Sequence, residues 1–182
     1  MTHETEIKLA VANANAARRV LRAAGFRISR RRVFEANTIF DTPKLALRRS
    51  RTLLRLREAG GVATLTYKGA PLPSRHKVRE ELESELTDPR NMRTILERLG
   101  YRAMWRYEKY RTEYRLERGA GMAMLDETPI GVYLELEGSP RWIDRMARVL
   151  GFAHEDYITA SYGRLYLDNC RRRGVKPGDM VF

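Results

Sequence analysis

The amino-acid sequence predicts an α+β fold in which most strands belong to one antiparallel sheet. Segments that alternate apolar and polar residues follow one another through short turns, some marked by Gly60, Gly61 or Gly69, and such connections join antiparallel neighbours. Helical stretches with capping residues and terminal glycines lie between these segments. At 182 residues the chain suits a single domain, which buries enough surface to fold without a disulfide or metal.

The first half of the chain alternates strands with two helical segments. We predict strands over residues 3–11, 52–58, 62–68 and 77–86, and extended stretches within 26–40. The Ala- and Arg-rich segment 13–24 is predicted to be a helix that ends at Gly25. The tripeptide Asp41-Thr42-Pro43 then starts a short helical turn over residues 44–49.

The second half adds three strands and three helices. A helix opens at Asp88-Pro89 and ends at Gly100, since Pro suits the first helical turn and Gly the position after the last. We predict strands over residues 101–116, 122–127 and 132–137, a helix over 141–150 and a last helix over 161–170. One domain is therefore expected over residues 1–170, followed by a basic C-terminal tail over 171–182.

Charge and composition narrow the kinds of partner. Lys and Arg number 35 against 23 Asp and Glu, and the formal charge of +12 favours an anion: a nucleic acid, a membrane surface or a small polyphosphate. The single cysteine, Cys170, excludes an internal disulfide and a Cys-based zinc site. The sequence has no run of about 18 apolar residues and no N-terminal signal segment, so we expect a cytoplasmic protein without a membrane span.

Charged residues recur at every second position of several predicted strands, so they share one face of each strand. These rows are Glu4, Glu6 and Lys8; Arg55 and Arg57; Arg79, Glu81, Glu83 and Glu85; Lys109 and Arg111; and Glu135 with Glu137. The solvent-exposed face of an ordinary amphipathic strand gives the same alternation. Charges of like sign are grouped here, however, whereas a surface selected for solubility mixes the signs. The grouping therefore favours a face that binds a ligand.

The rows contain both halves of a site for a metal-bound polyphosphate. Carboxylate oxygens hold hard divalent cations, and Arg or Lys holds phosphoryl oxygens. If the sheet closed into a barrel, the charged faces would line its interior and the leucine faces would meet the helices. Periodicity alone does not establish that closure.

These residues resemble the CYTH family, also called triphosphate tunnel metalloenzymes. The segment Glu4-Thr5-Glu6-Ile7-Lys8 matches the family's ExExK signature. The resemblance continues in order through Phe40-Asp41-Thr42-Pro43, Leu54-Arg55-Leu56-Arg57, Lys68-Gly69, Arg79 with Glu81 and Glu83, Lys109 with Arg111, Leu125-Asp126 and Leu134-Glu135-Leu136-Glu137-Gly138. It covers most of the chain, and an ordered series of motifs is far more specific than one motif alone.

The resemblance implies a closed eight-stranded antiparallel β-barrel, a tunnel with helices packed outside, that performs divalent-metal-dependent chemistry on a triphosphate. By position in the family motifs, Mg²⁺ or Mn²⁺ would be held by Glu4, Glu6, Glu135 and Glu137. Phosphates would be bound by Arg55, Arg57, Lys68, Arg79, Lys109 and Arg111, with Glu81, Glu83 and Asp126 in support.

Catalysis is assigned by the same resemblance to Glu4, Glu6 and Lys8. Lys8 would hold a phosphate or tune the attacking water. The alternative for Lys8 is a structural ion pair with Glu6 or Glu4, because ion-pair networks also occur in such sites.

The expected function is a metal-dependent triphosphatase that hydrolyses inorganic tripolyphosphate or a related triphosphate, such as ATP or thiamine triphosphate. A class IV adenylate cyclase, which converts ATP to cyclic AMP and pyrophosphate, is an alternative that the shared motifs do not exclude. A non-catalytic module that binds polyphosphate or nucleic acid would suit the charge of +12, but it would not need rows of glutamate. A nucleic-acid partner is therefore not expected, and a homodimer is left open.

Several other residues have ordinary structural interpretations. Trp105, Tyr107, Tyr110 and Tyr114 lie on one predicted strand and are expected in core or barrel-exterior packing, with base stacking at a tunnel mouth as the alternative. Met122 and Met124 are expected to pack, and His76 to be an ordinary loop residue.

Overall fold

The computed structural model describes residues 3–182, which form a closed eight-stranded antiparallel barrel with five α-helices packed outside it. The elements in chain order are β1 (His3–Val11), α1 (Ala14–Ala23), β2 (Arg27–Asp41), α2 (Ala46–Arg49), β3 (Leu53–Ala59), β4 (Val62–Lys68), β5 (Lys77–Leu86), α3 (Pro89–Arg98), β6 (Arg102–Arg115), β7 (Met122–Thr128), β8 (Gly131–Glu137), α4 (Pro140–Val149) and α5 (Tyr162–Arg173). The predicted α+β fold with a closed tunnel is confirmed.

The order of the strands places β1 and β2 on opposite walls of the barrel. Around the ring the strands run β1-β5-β4-β3-β2-β6-β7-β8, and β8 pairs with β1 to close it. Three strands separate β1 from β2 in each direction. Side chains that point inward from β1 therefore face those of β2 across the tunnel.

The strands divide their side chains between a polar interior and an apolar exterior. Ile7 of β1 and Leu134 of β8 point outward and are fully buried in a cluster with residues of α1 and α4. On another side of the barrel, Phe40 and Leu56 pack against Leu96 of α3. The apolar core thus lies between the barrel and its helices, and the inside of the barrel is left to charged residues.

Polar side chains fix the starts of helices, as the sequence signals predict. The Oδ1 of Asn13 accepts a hydrogen bond from the backbone N–H of Ala16 at 2.9 Å and so caps α1. The buried carboxylate of Asp41 accepts from the backbone N–H groups of Leu47 and Arg48, each at 2.9 Å. This carboxylate fastens α2 to the end of β2.

The C-terminal segment packs against the barrel. Helix α5 continues beyond residue 170, and the chain then returns to β6. There the backbone N–H of Met180 donates to the carbonyl of Arg106 at 3.0 Å, and that of Glu108 donates to the carbonyl of Met180 at 2.9 Å. A 3₁₀ turn over His154–Asp156 is a further element that the sequence pattern did not predict. Within residues 3–182, every helix is too short or too polar to serve as a membrane span.

Candidate active site

The barrel encloses a cavity of about 380 Å³ whose wall is rich in charged side chains. Thirteen of the predicted site residues line it: Glu4, Glu6, Lys8, Arg55, Arg57, Lys68, Arg79, Glu81, Glu83, Lys109, Arg111, Glu135 and Glu137. Asp126 lies behind the wall, where it contacts Lys109 and Arg111. The alternating rows of six strands thus converge on one cavity, which has the volume of a small-molecule site.

Lys8 joins the carboxylates of β1 and β8. Its Nζ lies 3.0 Å from Oε1 of Glu6 and 3.0 Å from Oε1 of Glu135, and its side chain is 2% exposed. Burial alone would lower the pKa of Lys8, but Glu135 and Glu6 outweigh it and hold this pKa well above its ordinary value. Lys8 is therefore held as a cation by these two carboxylates, in a position from which it can hold or orient an anion.

Two further lysines lie between glutamates of the wall. The Nζ of Lys68 donates to Oε2 of Glu4 at 2.6 Å and to Oε2 of Glu81 at 3.0 Å. The Nζ of Lys77 donates to Oε1 of Glu6 at 2.5 Å, across the register of β1 and β5. Lys77 was not among the predicted residues, although it begins the alternating row of β5 and that position could have revealed it.

Two carboxyl groups of the cavity hold protons more tightly than ordinary glutamates. Burial, together with the charges of Glu4 and Glu6, raises the pKa of Glu137 to about 7. Burial and the neighbouring Glu4 also raise the pKa of Glu81 to about 7, against the opposing effect of Lys68. The Glu137 side chain makes no hydrogen bond or ion pair within residues 3–182. Negative charge is thus crowded on this part of the wall.

Asp126 orders the cations that β6 contributes. Its fully buried carboxylate accepts from Nζ of Lys109 at 2.8 Å and from Nε and Nη2 of Arg111 at 2.7 and 2.6 Å. Nη2 of Arg111 also contacts Glu135. Burial would raise the pKa of Asp126, but Arg111 and Lys109 hold it below its ordinary value. The charged carboxylate of Asp126 therefore fixes the orientation of the Lys109 and Arg111 side chains.

Tyr162 enters the barrel from the first turn of α5. Its Oη donates to the carboxylate of Asp126 at 2.7 Å, and the ring lies 5.1 Å from Nζ of Lys8 and 5.2 Å from Nζ of Lys109. Strand alternation gives no signal for a residue that a helix inserts, so its place in the site could not be deduced from that pattern.

Arg55 and Arg57 of β3 differ in how firmly they are held. Nη1 of Arg55 donates to Oη of Tyr107 at 3.4 Å, and its Nη2 donates to Oγ1 of Thr66 at 3.2 Å and Oε1 of Glu83 at 3.3 Å. Arg57 has one ion pair within residues 3–182, between its Nη2 and Oε1 of Glu83 at 3.5 Å, and its side chain is 21% exposed. Arg57 is thus the more available of the two.

Arg79 lines the cavity, but its guanidinium donates its hydrogen bonds to backbone carbonyls. Its Nε donates to the carbonyl of Gly69 at 2.6 Å, and its Nη2 donates to those of Arg51 at 2.9 Å and Lys68 at 3.3 Å. These bonds fasten the segments before β3 and after β4 to β5. The structure therefore gives Arg79 a bracing role, and its contact with phosphate remains a prediction.

Several residues with ordinary interpretations lie closer to the site than expected. Trp105 and Tyr107 do pack, with ring centres 4.9 Å apart, but they do so in the cavity wall, and Met122 and Met124 line the cavity as well. His76 is a loop residue, yet it is buried, and its Nε2 lies 2.7 Å from Oδ1 of Asp144.

The carboxylates have the donor chemistry for a divalent cation, although lysines now lie between them. Within residues 3–182, no three His, Cys, Asp or Glu side chains are already arranged around one point as in a metal site. Glu137, however, has no hydrogen bond or ion pair among the described residues, and it lies opposite Glu6 in the register of β1 and β8. Carboxylate oxygens are the ligands that Mg²⁺ and Mn²⁺ prefer, and a cation would offset the repulsion between these groups. The residues present therefore fit a divalent metal.

Comparisons with known proteins agree with this geometry. The family model of the CYTH domain matches residues 2–162. A Methanocaldococcus jannaschii protein named "putative adenylate cyclase" is 30% identical over 147 residues, which are 81% of this chain and 83% of that protein. The structure of the PH1012 protein from Pyrococcus horikoshii is similar with a TM-score of 0.75 and 27% identity, over 89% of this chain and 98% of that one.

The structure of a Vibrio parahaemolyticus protein, also named "putative adenylate cyclase", has a TM-score of 0.77 at 21% identity. It covers 90% of this chain and 97% of its own, and at that identity it supports the fold alone.

Proposed function

This chain belongs to the CYTH domain family, and we propose that it is a divalent-metal-dependent triphosphatase that hydrolyses inorganic tripolyphosphate or a related triphosphate. One observation carries the proposal. A single cavity presents Arg and Lys from β3, β4 and β6 together with glutamates from β1 and β8. Phosphoryl transfer depends mainly on alignment and on neutralising charge, and this wall supplies groups for both tasks.

Charge balance in the cavity favours a metal-bound polyanion over a bare one. Among the described residues, the wall carries eight basic and seven acidic side chains, so it is nearly neutral as a whole. A bare tripolyphosphate would compete with the glutamates for the same cations and leave buried carboxylates unpaired, which is unfavourable. Divalent cations that enter with the substrate would pair with those carboxylates. A module that only binds anions would have no use for the glutamate rows.

The metal is proposed to be held by Glu4, Glu6, Glu135 and Glu137. Glu137 is available without breaking any contact, whereas Glu135 already contacts Lys8 and Arg111. When bound, a divalent cation would neutralise phosphate charge and lower the pKa of a coordinated water, and so provide a nucleophile near neutral pH.

The basic side chains would hold the phosphate chain in place. Lys109 and Arg111 are already oriented by Asp126, and Arg57 has a guanidinium that is free to form a forked contact with phosphoryl oxygens. Lys8 would donate to a phosphoryl oxygen or to the attacking water. Holding substrate and water in fixed positions can supply several kcal/mol of the barrier reduction, on the order of 7–11 kcal/mol in the best cases.

Cyclisation of ATP is a second candidate, because the M. jannaschii relative that is 30% identical is named for that activity. The two activities differ in products: hydrolysis releases phosphate, and cyclisation releases cyclic AMP and pyrophosphate. The test incubates the purified protein with tripolyphosphate, ATP or thiamine triphosphate in Mg²⁺, Mn²⁺ or chelator and measures all three products.

We expect phosphate as the main product and no turnover in chelator. Cyclic AMP as the main product from ATP would replace the proposal by the cyclase. Tight binding of the triphosphates without any product would indicate a binding module. Turnover that is unaffected by chelator would refute the role of the metal.

A further inference from the structure

Asn37 of β2 has a buried side-chain amide that makes no hydrogen bond in the part of the chain that the structure describes. Its side chain is 0% exposed, and neither its Oδ1 nor its Nδ2 has a hydrogen-bond partner within residues 3–182. Alternation puts it on the same face as Ile39, which lines the cavity, and opposite to Phe40, which packs under α3. Buried amides in native proteins are nearly always paired, so an unpaired one directly behind lining residues of the cavity is a candidate group for binding a ligand.

A second unpaired donor lies next to Asn37. The Nε of Arg55 is buried and also has no partner within residues 3–182. In the register of β2 and β3, Asn37 pairs with Arg57, and Ile39 pairs with Arg55. Arg55 is therefore the diagonal neighbour of Asn37, within reach of its side chain. Asn37, Arg55 and Arg57 form one patch, the β2–β3 patch, with two unsatisfied donors and one loosely held guanidinium.

The charge around the β2–β3 patch selects an anion. Two of its three members are arginines that share the one carboxylate of Glu83, so the patch keeps a net positive charge, and the nearby carboxylate of Glu35 faces Nζ of Lys109 at 3.5 Å. The patch also lies on the wall opposite β1, which carries Glu4 and Glu6. An acceptor with several oxygens would satisfy the amide and Nε of Arg55 together, and a phosphoryl group is such an acceptor.

We propose that Asn37 is a substrate-binding residue whose Nδ2 donates to a phosphoryl oxygen held by Arg55 and Arg57, at the end of the phosphate chain that is remote from the glutamates of β1. The inference rests on the proposed function, because it assigns the β2–β3 patch to the same polyphosphate. It adds a residue that no charge pattern in the sequence singles out.

The test replaces Asn37 by Leu, which has a similar size but no polar atoms, and by Ala, which leaves room. The affinity for tripolyphosphate is measured by calorimetry with its non-hydrolysable imido analogue in Mg²⁺, and KM and kcat are measured with tripolyphosphate itself in Mg²⁺. We expect both variants to lose at least fivefold in affinity, with KM raised more than kcat is lowered. The melting temperature of ligand-free Asn37→Leu should equal or exceed that of the wild type, because an unsatisfied group has been removed.

The control is Thr38→Val, on the same strand but on the outer face, where Oγ1 of Thr38 accepts from Nη2 of Arg93. It should lower the melting temperature slightly and leave the affinity for tripolyphosphate unchanged. A loss of less than fivefold in the folded Asn37 variants would overturn the inference. A failure of both variants to fold would also overturn it, because the amide would then be structural.

Measurements on the wild type distinguish a failure of this inference from a failure of the proposed function. If the wild type binds tripolyphosphate but does not hydrolyse it, the triphosphatase is refuted while the calorimetry still decides the role of Asn37. If the wild type hydrolyses it and the Asn37 variants match its affinity, only the inference fails. If the wild type does not bind tripolyphosphate at all, the inference fails together with the function.

Discussion

Replacement of Glu137 by Gln should stabilise the metal-free protein at neutral and alkaline pH. Burial and the charges of Glu4 and Glu6 raise the pKa of Glu137 from 4.5 to about 7. The unfolded chain releases this proton near the ordinary value, whereas the folded chain keeps it until about pH 7. Between these values the folded state binds more protons than the unfolded state, so its stability falls as pH rises. Gln carries no charge and removes this penalty.

The size of the effect follows from the pKa. A rise from 4.5 to about 7 corresponds to at most about 3 kcal/mol above pH 7, and partial exposure of the side chain reduces it. We expect Glu137→Gln to raise the free energy of unfolding by about 1–3 kcal/mol at pH 8 and by less than about 1 kcal/mol at pH 5. Urea unfolding in EDTA at both pH values measures this. At pH 8 in Mg²⁺, the same variant should lose most of its turnover.

Glu135→Gln is the matched control, two positions earlier on β8. Burial would raise the pKa of Glu135, but Lys8 and Arg111 hold it below its ordinary value, so its charge stabilises the fold. Glu135→Gln should therefore be less stable than the wild type at pH 8. The reasoning about crowded carboxylates is refuted if Glu137→Gln is also destabilised at pH 8, or if its effect is the same at both pH values.

Three other substitutions test separate parts of the structure. Arg57→Ala should raise KM for tripolyphosphate at least tenfold and change the free energy of unfolding by less than about 1 kcal/mol, since its ion pair with Glu83 is long; an unchanged KM would contradict its role. Tyr162→Phe should cost about 1–2 kcal/mol in urea unfolding and raise KM, because Asp126 loses a donor at 2.7 Å; unaltered stability and KM would exclude this. His76→Ala should lower the melting temperature by about 2–4 °C, while exposed His154→Ala should leave it nearly unchanged; equal effects would show that the bond to Asp144 contributes nothing.

Alternation along the strands was enough to group the charges but not to place them inside. Arg55 and Arg57 share a face in any amphipathic strand, and an open sheet in water would show the same pattern. Closure of the barrel depends on the pairing of β8 with β1 and of β2 with β6, between strands far apart in the chain. The ordered family motifs supplied that information, and hydrophobic periodicity could not.

Contacts within the site were harder to predict than its members. Lys68 and Glu4 meet because β5 brings β4 and β1 together, a fact that neither local sequence contains. Trp105, by contrast, could have been assigned to the cavity wall, because it lies four residues before Lys109 on β6 and its side chain is therefore on the same face of the strand. Its position was not predicted, because aromatic residues are common in strands for packing reasons alone. Asn37 carries no charge, so it did not belong to any of the alternating rows of charged residues and was not predicted.

The ion pairs of the tunnel wall explain why a polyanion and a metal would bind together. Each lysine of the wall already contacts a carboxylate: Lys8 contacts Glu6 and Glu135, Lys68 contacts Glu4 and Glu81, Lys77 contacts Glu6, and Lys109 contacts Asp126. A triphosphate alone would have to take lysines from glutamates, and a divalent cation alone would have to take glutamates from lysines. When both enter, each broken pair is replaced by two new ones, lysine with phosphate and glutamate with metal, so no buried charge is left unpaired. The two affinities are then coupled, and by linkage each ligand must strengthen the other by the same factor.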